Sequence, residues 1–256
     1  MSSLSVSLFQ AFGWGFVSAS AFLIGALLGI FGSLPHKAIA GTMAIGAGLL
    51  LAAASIELSI EALKNAAPIL VVVALLSGAA IFSFLNAVLA ANGAKHRKRC
   101  GQCVAQPSEV ERAGSGTAIA LGTAIDAIPE ALILGVWLSA HGLDAVLIAA
   151  ITIANFPEAL SAAEGMRHAD RPVGWILGMW GGIAAMTTVL TGVGFALAGL
   201  SSQSSVAILQ AFAAGALISM VSETMLPEAV HNTPHYVGLA ATVGFALLLL
   251  LHAFSA

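Results

Sequence analysis

Eight apolar stretches follow one another along the chain, near residues 8–33, 38–63, 69–92, 114–139, 145–166, 175–199, 205–229 and 235–254. A hydrocarbon core of about 30 Å takes roughly 20 apolar residues per helix, so each stretch is long enough to cross a bilayer. Short breaks separate them at Pro35-His36, Asn65 to Pro68, His141-Gly142, Arg171-Pro172, Ser201-Ser202 and Asn232 to Pro234. Charge is correspondingly scarce. Only 8% of residues are charged and 59% are hydrophobic, against roughly 25% and 45–50% in a soluble domain. So few charges cannot cover a water-facing surface, which excludes a soluble enzyme, a nucleic-acid binder and a disordered chain.

With one Tyr and no alternating strands between aromatic girdles, an outer-membrane barrel does not fit. The expected fold is an all-α integral membrane protein of eight transmembrane helices. MSSLSVSLFQ carries no Lys or Arg ahead of its apolar run, so the first stretch is expected to be a retained span, not a cleaved signal. One membrane domain is expected: spans 1–3 over 1–92, a variable polar loop over 93–113, and spans 4–8 over 114–256.

The basic residues set a direction. Lys37, Lys95, Arg97, Lys98, Arg99, Arg112, Arg167 and Arg171 all fall in odd-numbered loops, and Lys64 alone lies on the other side. The positive-inside rule places those loops in the cytoplasm and both termini outside, an arrangement that fits a bacterial inner membrane.

No Lys or Arg falls within a span, yet carboxylates do: Glu57 and Glu61 in span 2, Asp126 and Glu130 in span 4, Glu158 in span 5, Glu223 and Glu228 in span 7. An ionisable group at this depth costs at least about 2.5–3.5 kcal/mol, so it is rare and commonly functional. Acids without a basic partner need another positive charge, which metal ions or protons supply. The plainer alternative is a protonated acid hydrogen-bonded to a neighbouring helix. Glu61 and Glu228 lie near span ends and are expected at the interface.

Spacing sharpens this. Asp126 and Glu130 are four apart and share a helix face, as do Glu57 and Glu61, while Asn155 and Glu158 share one at three apart. Such oxygens on facing helices suit a cation shell. Spans 4 and 5 also carry related runs, Ile128-Pro129-Glu130-Ala131-Leu132 and Phe156-Pro157-Glu158-Ala159-Leu160. Each proline releases the carbonyl four residues back, that of Ile125 or Ile153. Kinked helices 4 and 5 are therefore expected to line a central metal site, since broken helices at membrane depth are where transporters bind ions.

These residues resemble the ZIP (Zrt/Irt-like) family of divalent-metal transporters. That family has eight spans, extracytoplasmic termini and a variable loop between spans 3 and 4. Its span 4 motif, His-Asn-x-Pro-Glu-Gly, falls on Asp126-Ala127-Ile128-Pro129-Glu130-Ala131, with Asp for His and Ala for Asn. Its span 5 motif, x-Asn/Asp-x-Pro-Glu, falls on Ala154-Asn155-Phe156-Pro157-Glu158-Ala159. The His-Glu-x-x-Pro-Glu often seen in span 7 is similar to Glu223-Thr224-Met225-Leu226-Pro227-Glu228. The stretch from Gly48 to Glu61 is similar to the Gly-rich second span, and Thr187-Thr188 stand where some members carry a span 6 Glu.

The resemblance implies a secondary transporter of zinc, manganese or iron, with Asp126, Glu130, Asn155, Glu158, Glu223 and Glu57 as candidate ligands and the metal as substrate. Every family imidazole is replaced, and oxygen donors suit harder ions than zinc, so a preference broader than zinc, reaching manganese or ferrous iron, is implied. Ala127 in place of Asn implies one ion per site. An elevator is implied, spans 1, 4, 5 and 6 moving against 2, 3, 7 and 8. Gly25/Gly29 and Gly178/Gly182 are small-residue pairs of the kind that ease sliding. The expected partners are metal ions, the bilayer and a second copy in a homodimer.

His96 with Cys100 and Cys103 offers too few ligands for a stable zinc site, so the loop reads first as a basic tether and second as a metal sensor. His231, His235 and His252 read as interfacial. No His-Glu-x-x-His is present and only one Asp is buried, so no enzyme is expected. Two alternatives stay open: a non-transporting sensor or scaffold on the same fold, and a cation/proton antiporter of another family.

Overall fold

A computed structural model describes residues 6–32, 34–94, 97, 115–232 and 235–255. Among these, eight helices are long and apolar enough to cross a membrane. They are α1 (Leu8–Phe31), α2 (Lys37–Asn65), α3 (Pro68–Asn92), α4 (Gly116–His141), α5 (Ala145–His168), α6 (Val173–Gly199), α7 (Gln203–Val230) and α8 (Val237–Phe254). The expected spans agree with them to within a few residues at each end. His96, Cys100 and Cys103 lie outside the described residues.

Local chemistry sets the ends. Ser7 and Gln10 form a reciprocal capping box at the start of α1. Pro68 opens α3, where its missing N–H is no loss. Between α4 and α5, Gly142 takes a left-handed backbone with φ 80°, and Asp144 then caps α5 by accepting from the Val146 N–H at 2.8 Å. The same carboxylate accepts the Trp137 indole N–H at 2.9 Å, tying the end of α4 to the start of α5.

The helical backbone of α4 and α5 runs unbroken through Pro129 and Pro157. The departures from α geometry lie elsewhere. π-helical turns occupy Ala53–Ser59 within α2, Ala90–Ala94 at the end of α3 and Val221–Met225 within α7.

Two groups of helices emerge. In one, α1 lies along α5 and α6, and α4 lies along α6; in the other, α3 lies along α7 and α2 along α8. Contact between α2 and α5 is the main seam joining them. Lipid offers no hydrophobic drive for these pairings, so close backbone approach must supply the attraction. Glycines provide it reciprocally: a Cβ on Gly78 would strike the Phe212 carbonyl and one on Gly215 the Leu75 carbonyl, at the α3–α7 crossing. Gly48 and Gly244 do the same for α2–α8, and Gly135 and Gly194 for α4–α6. Gly25 and Gly29 set α1 against the backbone carbonyls of Phe156 and Leu160, beside Pro157 and Glu158. Gly178 and Gly182 are different. Nothing stands within 4 Å of a Cβ on either, so among the described residues this pair makes no helix contact. Its spacing fits the small-residue pattern, but no described helix meets that face of α6.

Candidate metal centre

Asp126 is fully buried on α4, and its carboxylate accepts two hydrogen bonds from Arg97, from Nε and from Nη2, each at 2.9 Å. This is the forked geometry in which guanidinium and carboxylate match best. Arg97 is 2% exposed although it belongs to the polar loop. Its backbone N–H bonds the Ala94 carbonyl at 3.2 Å, at the end of the π-turn that closes α3. Gly122, one turn before Asp126, leaves room for the incoming side chain; a Cβ there would sit 2.6 Å from Arg97 Cδ. The span acids were expected to have no basic partner, and for Asp126 this is corrected: the base arrives from outside the span. Burial works against the Arg97 charge, but Asp126 first, then Glu228 and Glu158, more than restore it and raise its pKa. Glycine one turn before a buried acid was the available sequence signal.

The other α4 and α5 candidates are buried as well. Glu130 and Glu158 are 1% and 2% exposed, and each interacts with the protein around it. Asn155 is fully buried and its Nδ2 donates to the Ser18 carbonyl and hydroxyl on α1 at 3.3 and 3.4 Å. Its Oδ1 is buried and accepts no hydrogen bond among the described residues. A buried acceptor left without a donor is rare in folded proteins, and a cation is one way to satisfy it. Ser18 gives no sequence signal of this role.

Two candidates are carried by helices other than α4 and α5. Glu57, in the α2 π-turn, hydrogen-bonds His252 Nδ1 on α8 at 2.7 Å. His252 thus has a carboxylate partner, and Glu57 lies within electrostatic reach of Asp144 and His141 at the turn between α4 and α5. Glu223, in the α7 π-turn, is exposed, accepting from the Ser83 hydroxyl and, at 2.8 Å, from Asn86 Nδ2, both on α3. Glu228, expected at the interface, is buried instead.

A cavity of about 280 Å³ opens at the loop-bearing end of the bundle, lined by Asn86, Arg97, Glu223, Thr224, Pro227 and Glu228. A second, of about 330 Å³, opens at the opposite end, where Glu61, Asn65, His141 and Gln210 are among its walls. His141 Nε2 stands 3.4 Å from Glu61 Oε1 there, and Trp137 stacks on the imidazole with ring centres 4.1 Å apart. About 16 Å of α4 separates Glu130 from His141 at the helical rise. Ile133, Leu134, Val136 and Trp137 fill that length and are all buried. The polar cavity nearer the Asp126 carboxylate is therefore the one on the loop side.

Among the described residues, no three His, Cys, Asp or Glu side chains form a ready metal cluster. Asp126 forks onto the Arg97 guanidinium, Glu228 and Glu158 add to the negative field on it, and Glu130 and Asn155 are buried on α4 and α5. No family model matches the chain, and no curated protein matches it.

Proposed function

We propose that this chain is a secondary transporter of divalent cations, with Glu130, Glu158 and Asn155 on α4 and α5 as the intramembrane site. The observation that carries the reading is the buried Asn155 Oδ1, an acceptor with no donor among the described residues, one helical turn from a buried carboxylate on the same face. Carboxylate and amide oxygens favour manganese or ferrous iron over zinc. The prolines of α4 and α5 would release carbonyls beside the acids, and local bending there would complete the shell. The grouping of α1, α4, α5 and α6 against α2, α3, α7 and α8 suits an elevator, and the whole resembles the ZIP family in topology and in its Pro-Glu motifs. The basic loops would face the cytoplasm of a bacterial inner membrane.

The test is proteoliposome uptake of manganese, iron, zinc and cadmium by wild type and by Glu130→Ala. Uptake by wild type that the variant loses supports the site on α4 and α5 and ranks the ions. A second reading, a non-transporting sensor or scaffold, draws on the Arg97–Asp126 pair, which already neutralises one site acid. Absence of uptake of every ion by a folded wild type would establish that reading instead.

A further inference from the structure

The bundle end opposite the 93–113 loop carries metal-ligating side chains that the α4–α5 site does not use. We propose that Glu61 and His141 bind a transition-metal ion of the zinc class in the cavity there. Glu61 stands on α2 and His141 ends α4, so the ion would bridge the two helix groups. The pair is separate from Glu130, Glu158 and Asn155, and it stands whether or not those residues carry an ion across.

Spacing comes first. His141 Nε2 stands 3.4 Å from Glu61 Oε1, beyond the roughly 2.7–3.2 Å of an N–H···O bond. Two donors about 2.1 Å from a tetrahedral ion are about 3.4 Å apart, so the pair already has the spacing of one edge of a zinc shell. The two side chains are 29% and 20% exposed, open enough for an ion to enter from water. Trp137 stacks on the imidazole and holds its plane. His141 Nδ1 is buried and bonds nothing among the described residues, which leaves Nε2 as the nitrogen that faces a ligand. Lys64 takes Glu61 Oε2 at 2.8 Å and Asn65 donates to Oε1 at 3.1 Å. A carboxylate oxygen has two lone pairs, so Oε1 keeps one for a metal.

The cavity gives an independent sign of a ligand. Gln210, on α7, is 1% exposed and lines it, yet its Nε2 is buried and bonds nothing among the described residues. A buried donor in that state is rare, and the oxygen of a metal-bound water would accept from it. The volume of about 330 Å³ has room for such waters. Two protein donors completed by water make an exchangeable site, and the imidazole suits zinc, copper or nickel.

The experiment measures equilibrium binding of Zn²⁺ and Cd²⁺ to the full chain in nanodiscs, in wild type and in a Glu130→Ala background from which the α4–α5 site is removed. One zinc that depends on His141 is expected in both, weakened at least about tenfold by His141→Ala. Lys64→Gln, which takes a cation from beside Glu61, should tighten it about threefold. His141→Cys keeps a ligand but a softer one, and should move the Cd²⁺-to-Zn²⁺ affinity ratio at least about tenfold toward Cd²⁺. Lost packing does not produce that change, so the test stands even where His141→Ala fails to fold. Zinc affinity untouched by His141→Ala, or a Cd²⁺-to-Zn²⁺ ratio untouched by His141→Cys, would overturn the proposal. Either result leaves the transporter reading intact, because uptake by wild type against Glu130→Ala decides that separately.

Discussion

Replacing Gly25 by Ala tests how α1 is held against the helix that carries Asn155 and Glu158. A Cβ at residue 25 would run into the Phe156 carbonyl and lie 3.1 Å from both the Ala159 Cβ and the Leu160 nitrogen. Backbone does not swing aside as a side-chain tip does, so α1 must retreat by about 1 Å to restore ordinary contact. Asn155 Nδ2 reaches the Ser18 oxygens at 3.3 and 3.4 Å, and that retreat carries both beyond hydrogen-bonding distance. Overpacking costs about 1–3 kcal/mol and a lost interhelical hydrogen bond in a membrane roughly 0.6 kcal/mol. Together the expected loss is roughly 2–4 kcal/mol, or about 4–16 °C in Tm for a chain of this size. The assay is thermal unfolding of detergent-purified protein, with Gly178→Ala as the comparison. Nothing lies within 4 Å of a Cβ at residue 178, and Ala in a helix interior is favoured over Gly by up to about 1 kcal/mol, so that variant should keep or raise Tm. Equal shifts for the two would refute the account of how α1 meets α5.

Other expectations follow from single contacts. Arg97→Ala takes the forked guanidinium from the buried Asp126 and should cost about 3–5 kcal/mol, most of it recovered in the Arg97→Ala/Asp126→Asn double variant, as read by thermal unfolding. Asp144→Ala removes both the α5 cap and the Trp137 partner; a loss of roughly 1–3 kcal/mol is expected, with a change in Trp fluorescence as Trp137 loses its bond. Glu57→Gln and His252→Ala should prove coupled in a double-mutant cycle, whereas Glu57→Gln and Arg97→Ala should add, because their partners are separate. Gly215→Leu should part α3 from α7, releasing Glu223 from Ser83 and Asn86 and lowering Tm.

The spans were legible because each obeys one strong rule, an apolar run as long as a bilayer is thick. The burial of Asp126, Glu130, Asn155 and Glu158 was legible too, since mid-span acids and amides have nowhere else to go. What sequence hid was phase and reach. Glu57 and Glu61 sit four apart, the spacing of a shared face, but the π-turn over Ala53–Ser59 interrupts the α-helical count. Glu57 consequently meets His252 on α8, while Glu61 stands by His141 on α4. The same interruption, over Val221–Met225, leaves Glu223 toward α3. Arg97 escaped notice because its role depends on a long side chain folding back from a loop, and no periodicity records that. Gly178 and Gly182 show the converse error, in which a pattern is present but the partner helix is not.

The central place of α5 bears on how such a protein is made. It is the most enclosed of the eight helices, while α8 is the least, yet α8 is markedly the more hydropathic of the two. During synthesis a helix bearing Asn155 and Glu158 enters lipid at a cost that its apolar neighbours on the same helix only partly offset. Its shelter comes chiefly from α1 and α2, both already made. Biogenesis therefore has an order written into the helix arrangement. A helix with Asn155 and Glu158 at its middle is delivered to partners that precede it. An α1 that cannot dock would leave α5 as the first segment exposed to membrane quality control.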